Sequence, residues 1–292
     1  MKRIPLLLTA LGLVSAAAYA APELKVTSIG QYIEIDNTSG NEDIGEAIHF
    51  ANKVNLAYGD WSFGLMARKA WSASFDDYKN NDTEGSGVKS AGHRLEVFAT
   101  KNFGNYTLGT KWRGEANYDA LYLTGSYKAG MFSGNGYISY RSYNTDGGTD
   151  YWYSEMTPII VALGPVNVAW YTEYKGYTGT DSAKDVAGNK NAVAYEWNNQ
   201  VRLTGNLYTT DRFNLGAEYR YEISTTDENE KATSVKDYQH TIGLNAAYKV
   251  TENLTVDGYY LYEMNSYKGV NGGEAKADDY YGEFYLGWTY KF

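Results

Sequence analysis

The sequence predicts an all-β chain, a transmembrane antiparallel up-and-down barrel of about fourteen strands. Three observations predict it. Beyond the first twenty residues the chain repeats runs of period-two alternation. The connections between those runs alternate between short and long. The 292 residues include 30 Tyr, 7 Trp and 9 Phe, yet no segment beyond the leader approaches the ~20 apolar residues a spanning helix needs. Composition also excludes several classes. Without cysteine there is no disulfide scaffold and no Cys-ligated zinc or iron–sulfur site. With 35 acidic against 26 basic residues, the chain lacks the basic excess of a nucleic-acid binder.

The N-terminus reads as an address. Lys2 and Arg3 precede the apolar stretches Ile4 to Leu8 and Leu11 to Val14, and Ala18-Tyr19-Ala20 supplies a small-x-small end. These are the three parts of a secretory signal peptide. Residues 1–20 are therefore expected to be removed, and residues 21–292 to form the barrel.

The strands follow in order from Leu24. A clean run is Phe213, Leu215, Ala217, Tyr219, Tyr221 and Ile223, alternating with Asn214, Gly216, Glu218, Arg220 and Glu222. Tyr195 to Thr204 and Ile242 to Tyr262 repeat the pattern, and Phe284, Leu286, Trp288, Tyr290 and Phe292 close it. Such alternation means strands with two chemically different faces. Short turns are expected at 59–60, 102–105, 128–130, 164–165, 208–211 and 251–253. The other seven connections, 36–45, 72–90, 114–117, 144–150, 178–191, 224–236 and 265–277, are mostly longer and polar. Six turns and seven other connections imply fourteen strands, with both termini on the short-turn side. A misreading at the Gly114 connection or at strand eight would change the count to twelve or sixteen. Strand eight holds Pro158 beside Ile159-Ile160-Val161, so a bulge is expected there.

Size decides which face points outward. Side chains can fill a barrel of about eight strands; fourteen closed with the apolar side inward would leave a void. Turned the other way, the apolar face meets hydrocarbon. Arg68, Arg94, Lys111, Arg113, Arg202 and Arg220 sit opposite the apolar series of their strands. Reversal would expose each to lipid at about 2–4 kcal/mol. The surviving soluble alternative is two consecutive β-sandwiches, but no linker appears near Gly164. Aromatics at strand ends suit the lipid-headgroup boundary, and Tyr58, Trp61, Tyr106, Trp152, Tyr248, Tyr262 and Phe292 are the candidates.

The polar face then lines water, and its charges segregate. Lys53, Arg68, Arg94, Lys111 and Arg113 form a basic wall, with Glu96 as the main exception. Glu173, Glu196, Glu218, Glu222, Asp257, Glu263 and Glu283 form an acidic wall, softened by Lys175, Arg202, Arg220 and Lys291. Two readings stand: a transverse field that selects solutes, or charges that merely keep the bore wet. Tyr171, Tyr259 and Tyr285 share this face and either stack sugars or fill space. The acidic excess makes weak cation preference the default.

The leader, the alternating strands, the acidic balance and the terminal Tyr290-Lys291-Phe292 resemble small bacterial outer-membrane porins of the OmpG type. The resemblance is architectural and spans the mature chain. It implies a monomeric channel in the outer membrane of a Gram-negative (diderm) bacterium. Outer-membrane lipid and ions or small hydrophilic solutes are then the partners, with no cofactor and no catalysis. A substrate-selective channel for oligosaccharides or acidic sugars is the alternative, its anion bound by the basic wall. A barrel enzyme and a surface adhesin are the remaining ones. His49, His93 and His240 are the available histidines, and His93 with Ser90 is the catalytic pairing to test.

Overall fold

A computed structural model describes residues 23–39, 47–74, 87–144, 149–178, 193–228 and 232–292. The proposed leader, residues 1–20, lies outside the described residues. Among the described residues no helix is long and apolar enough to cross a membrane. The described residues run instead through fourteen strands: β1 (Lys25–Ile35), β2 (Ile48–Tyr58), β3 (Trp61–Ser74), β4 (Gly87–Asn102), β5 (Tyr106–Glu115), β6 (Tyr118–Ala129) and β7 (Phe132–Tyr143). The second half holds β8 (Tyr151–Leu163), β9 (Val166–Tyr177), β10 (Tyr195–Thr209), β11 (Phe213–Thr226), β12 (Ser234–Lys249), β13 (Leu254–Gly269) and β14 (Asp279–Lys291). Each pairs antiparallel with its sequence neighbours, and β1 closes the barrel on β14 from Ser28↔Lys291 to Ile35↔Phe284. Closure leaves no unpaired edge, as a sheet in lipid requires.

The tight end is built by turns that match strand twist. Tyr58↔Trp61, Ala129↔Phe132 and Leu163↔Val166 are each the last pair before a two-residue loop. Each loop opens on glycine at positive φ: Gly59 (56°), Gly130 (62°) and Gly164 (68°). That is the φ signature of a type II′ hairpin, whose first central position strains any residue but glycine by its positive φ. Pro165 fits the following position because its fixed negative φ is the one needed there.

Two expectations need adjusting. The connection expected at 72–90 is shorter, because β3 continues to Ser74 and β4 starts at Gly87. Its acidic tip, Asp76, Asp77, Asp82 and Glu84, lies outside the described residues. The last two long connections shrink likewise, since β12 and β13 remain paired up to Ser234↔Gly269. Polar residues join the ladder there because backbone pairing needs no apolar face. The expected irregularity in strand eight is present: register slips between Met156 and Ile159 against β9, and between Ser133 and Asn135 against β7. Pro158 supplies no N–H at the slip, while its carbonyl accepts a 2.8 Å hydrogen bond from the Tyr127 hydroxyl.

One face of the sheet is apolar and exposed, with Leu121, Leu123, Ile138, Val201, Ile242 and Leu244 open around the barrel. The opposite face is inside. A single cavity touches residues of all seven strands from β8 to β14, which only the concave side of a closed sheet allows. On the outer face Trp61 and Trp71 of β3, like Tyr238 and Tyr248 of β12, stand ten residues apart. At ~3.4 Å per residue and a tilt near 40°, that spacing projects to about 25 Å, the height of a hydrocarbon band.

Candidate functional site

The register brings the charged positions together on the inward face. Ladder partners there include Ala51↔Arg68, Arg68↔Arg94 and Arg94↔Glu115, with Glu96↔Arg113 and Lys111↔Tyr122 alongside. Lys53 joins them opposite Met66, with Nζ 4.3 Å above the Tyr32 ring. All five residues of the basic wall therefore occupy β2 to β5 on one continuous surface. Each arginine among them meets a carboxylate. Arg68 Nη1 is 3.5 Å from Glu34 Oε1, Arg94 Nε donates to Glu115 Oε1 at 2.5 Å, and Arg113 Nε donates to Glu96 Oε1 at 2.6 Å. Lys111 Nζ lies 3.7 Å from Glu96 Oε2 and 4.1 Å above the Tyr122 ring.

The acidic residues occupy the same inward face across β9 to β14. Register places Glu155 opposite Glu173, Gln200 opposite Glu222, Thr241 opposite Glu263 and Leu261 opposite Glu283. Glu218 faces Gly243, Glu196 faces Lys175, and Asp257 faces Gly287. Two of them meet cations: Glu218 with Arg220 at 2.7 and 3.0 Å, and Glu222 with Lys236. Neutral donors meet several others. The Tyr171 hydroxyl donates to Glu173 at 2.9 Å, the Asn198 amide to Glu196 at 3.2 Å, and the Tyr259 hydroxyl to Glu283. A hydrogen bond from a neutral group orients a carboxylate without cancelling its charge.

Several inward residues escaped the sequence reading. Glu34, Glu115, Glu155 and Arg141 were each legible from parity, being two residues from Tyr32, Arg113, Tyr153 and Ser139 on the same face. Glu115 was obscured because it borders the Gly114 connection, here only two residues between β5 and β6. A block of inward tyrosines on β6 to β9 was also missed. Ring centroids link Tyr118 to Tyr143 at 5.7 Å, Tyr151 to Tyr177 at 5.5 Å, Tyr122 to Tyr137 at 5.2 Å and Tyr137 to Tyr153 at 5.9 Å. Arg141 lies over Tyr118 at 4.2 Å and Tyr151 at 4.9 Å, so cations thread the block. Of the three tyrosines placed on this face from sequence, Tyr259 and Tyr285 stack at 4.9 Å and 3°, and Tyr171 carries the Arg202 guanidinium at 3.5 Å.

At the loop end of β1 and β2, Glu34, Asp36 and His49 bring ligand atoms within 4.8 Å of one another. Arg68 Nη1 already sits 3.3 Å from His49 Nδ1, supplying the positive charge that this acidic pair needs. Burial, reinforced by Glu34 and opposed by His49, raises the Asp36 carboxyl above the usual carboxylate range. His93 and His240 lie elsewhere, on the outer face opposite Lys69 and Tyr221. The Ser90 hydroxyl is bonded by Lys69, and the His240 ring packs among Tyr219, Tyr221 and Tyr238. The aromatic candidates are outward as well. Tyr58, Trp61, Tyr106, Tyr248 and Phe292 gather at the turn end, Trp152 and Tyr262 toward the loop end.

Comparison with solved structures places this architecture. The chain is similar to a bacterial polysaccharide outer membrane secretin, with TM-score 0.56 and 9% identity over 91% of this chain and 98% of the other. The fold is that of an outer-membrane β-barrel. Further similarity is found to the outer membrane channel DcaP of Acinetobacter baumannii (TM-score 0.46, 11% identity, 94% and 99% covered). An anion-selective porin from Comamonas acidovorans is also similar (TM-score 0.43, 12% identity, 92% and 100% covered). No protein-family model matches the chain, and no curated protein sequence does.

Proposed function

We propose that the chain is an outer-membrane channel of a diderm bacterium, through which ions and small hydrophilic solutes diffuse passively. In this reading it acts as a monomer of the OmpG type after cleavage behind Ala20. The observation that carries the proposal is the inversion of the barrel. Charged and polar side chains of all fourteen strands share the concave face, while leucine, isoleucine and valine cover the convex one. A soluble β protein has the opposite arrangement, and an inward face this charged is stable only in contact with water.

The basic and acidic walls are the proposed pore lining, and the exposed rings at each end are the proposed interface anchors. The acidic-sugar alternative finds less support, since the arginines of the basic wall already face Glu34, Glu96 and Glu115. Purified protein refolded into planar bilayers tests the proposal. Stepwise ohmic currents are expected, with little block by added sugars. Bilayers that stay silent although the protein inserts would overturn the channel reading. Block by an acidic sugar at low concentration would favour the alternative.

A further inference from the structure

The lumen is not filled evenly. On β6 to β9 the tyrosine block and its cations close one side: Tyr122 is 2% exposed, Ser139 1% and Ala120 1%. Open space lies on the other side. A cavity of about 530 Å³ runs along β8 to β14. Toward the loop end it meets a second of about 370 Å³, the two sharing Lys236, Gln239 and Glu263. The two halves also differ in how their charges are met. Around β1 to β5 the arginines face carboxylates, so the wall is close to self-neutralised. Around the open cavity Glu155, Glu173, Glu196 and Glu283 are met by tyrosine hydroxyls and an asparagine amide. Seven glutamates line this cavity against Arg202, Arg220 and Lys236. Arg202 itself donates to a neutral partner, Gln200, at 2.6 Å. Asn198, 3% exposed, lines the cavity too, and its side-chain oxygen accepts no hydrogen bond among the described residues.

We infer that permeation follows the β10–β14 side of the lumen, and that this path favours cations over anions of equal size. The inference rests on the channel reading and adds to it a route and a solute class. A cation on this route passes carboxylates whose charge neutral donors leave intact, in a narrow space where water screens poorly. The basic wall, already paired, repels it weakly. The tyrosine block sets the width of the bore rather than its charge preference.

Reversal potentials in a KCl gradient across planar bilayers test this. The parent channel should pass potassium in preference to chloride. Glu173→Gln with Glu196→Gln and Glu283→Gln should lower the permeability ratio about twofold or more. Arg94→Gln with Lys111→Gln on the basic wall should move the ratio less. Tyr137→Ala with Tyr153→Ala should raise single-channel conductance while the ratio stays near that of the parent. Should the triple variant fail to refold, Glu173→Gln and Glu283→Gln measured singly each carry the same expectation in smaller degree. Currents that show no cation preference, or a ratio governed by the basic wall, would overturn the inference and leave the channel standing. Absence of current in the parent would instead overturn the channel itself.

Discussion

Replacing Leu244 by arginine should destabilise the membrane-folded barrel, while the same change at its neighbour Asn245 should not. Leu244 lies on the outer face of β12 and is 53% exposed. It stands four residues from Tyr248 and six from Tyr238, the outward rings that bracket it. With ~3.4 Å per residue and a tilt near 40°, these offsets project to about 10 and 15 Å, close to mid-membrane. An arginine there costs about 2–4 kcal/mol. At about 1.4 kcal/mol per decade, the folding equilibrium should fall roughly 30- to 700-fold. Asn245 lines the lumenal cavity opposite Gly216 and Tyr259, so an arginine there stays in water. Its effect should lie within about 1 kcal/mol. The assay is urea-dependent folding into phospholipid vesicles, followed by tryptophan fluorescence for parent, Leu244→Arg and Asn245→Arg. Equal losses, or a larger loss at Asn245, would refute the assignment of faces.

Further outcomes follow from local packing. The Phe98 ring lies where a side chain on Gly64 would go, so Gly64→Val should cost about 1–3 kcal/mol, with partial recovery on adding Phe98→Ala, by the same urea titration. Glu96→Gln removes the partner of Arg113 and Lys111 and should cost about 1.5–3 kcal/mol, with its combination with Arg113→Leu costing less than the sum. N-terminal sequencing of protein from outer membranes should begin at Ala21; a retained leader would contradict the secretory reading.

Much of the fold was legible because a strand in lipid is doubly constrained. Period-two alternation fixes its faces, and closure makes every connection a hairpin. The run from Phe213 to Ile223 thus reads directly as β11, and Gly59, Gly130 and Gly164 mark tight turns by their backbone requirement. Strand ends beyond the membrane were harder to read. Past the aromatic rings lipid no longer selects the side chain, so Ser72 to Ser74 and Asn265 to Gly269 look like loop while still pairing. Charges followed parity well, but their partners did not: Glu34 of β1 meets Arg68 of β3 only by reaching across the β2 that pairs with both, and Glu115 meets Arg94 only through register. The tyrosine block shows the same limit. Tyr122, Tyr137 and Tyr153 stand on three strands, and only the pairing of β6, β7 and β8 makes them neighbours.

Because the chain has no native cysteine, one introduced thiol reports one position. Adjacent residues Glu218/Tyr219, Leu244/Asn245 and Tyr262/Glu263 offer one inward and one outward site on each of three strands. In vesicles, a membrane-impermeant maleimide should reach thiols at 218, 245 and 263. A fluorophore at 219, 244 or 262 should instead be quenched by brominated lipid. Uniform reactivity across each pair, or the reverse pattern, would contradict a water-lined barrel with its apolar face in the bilayer.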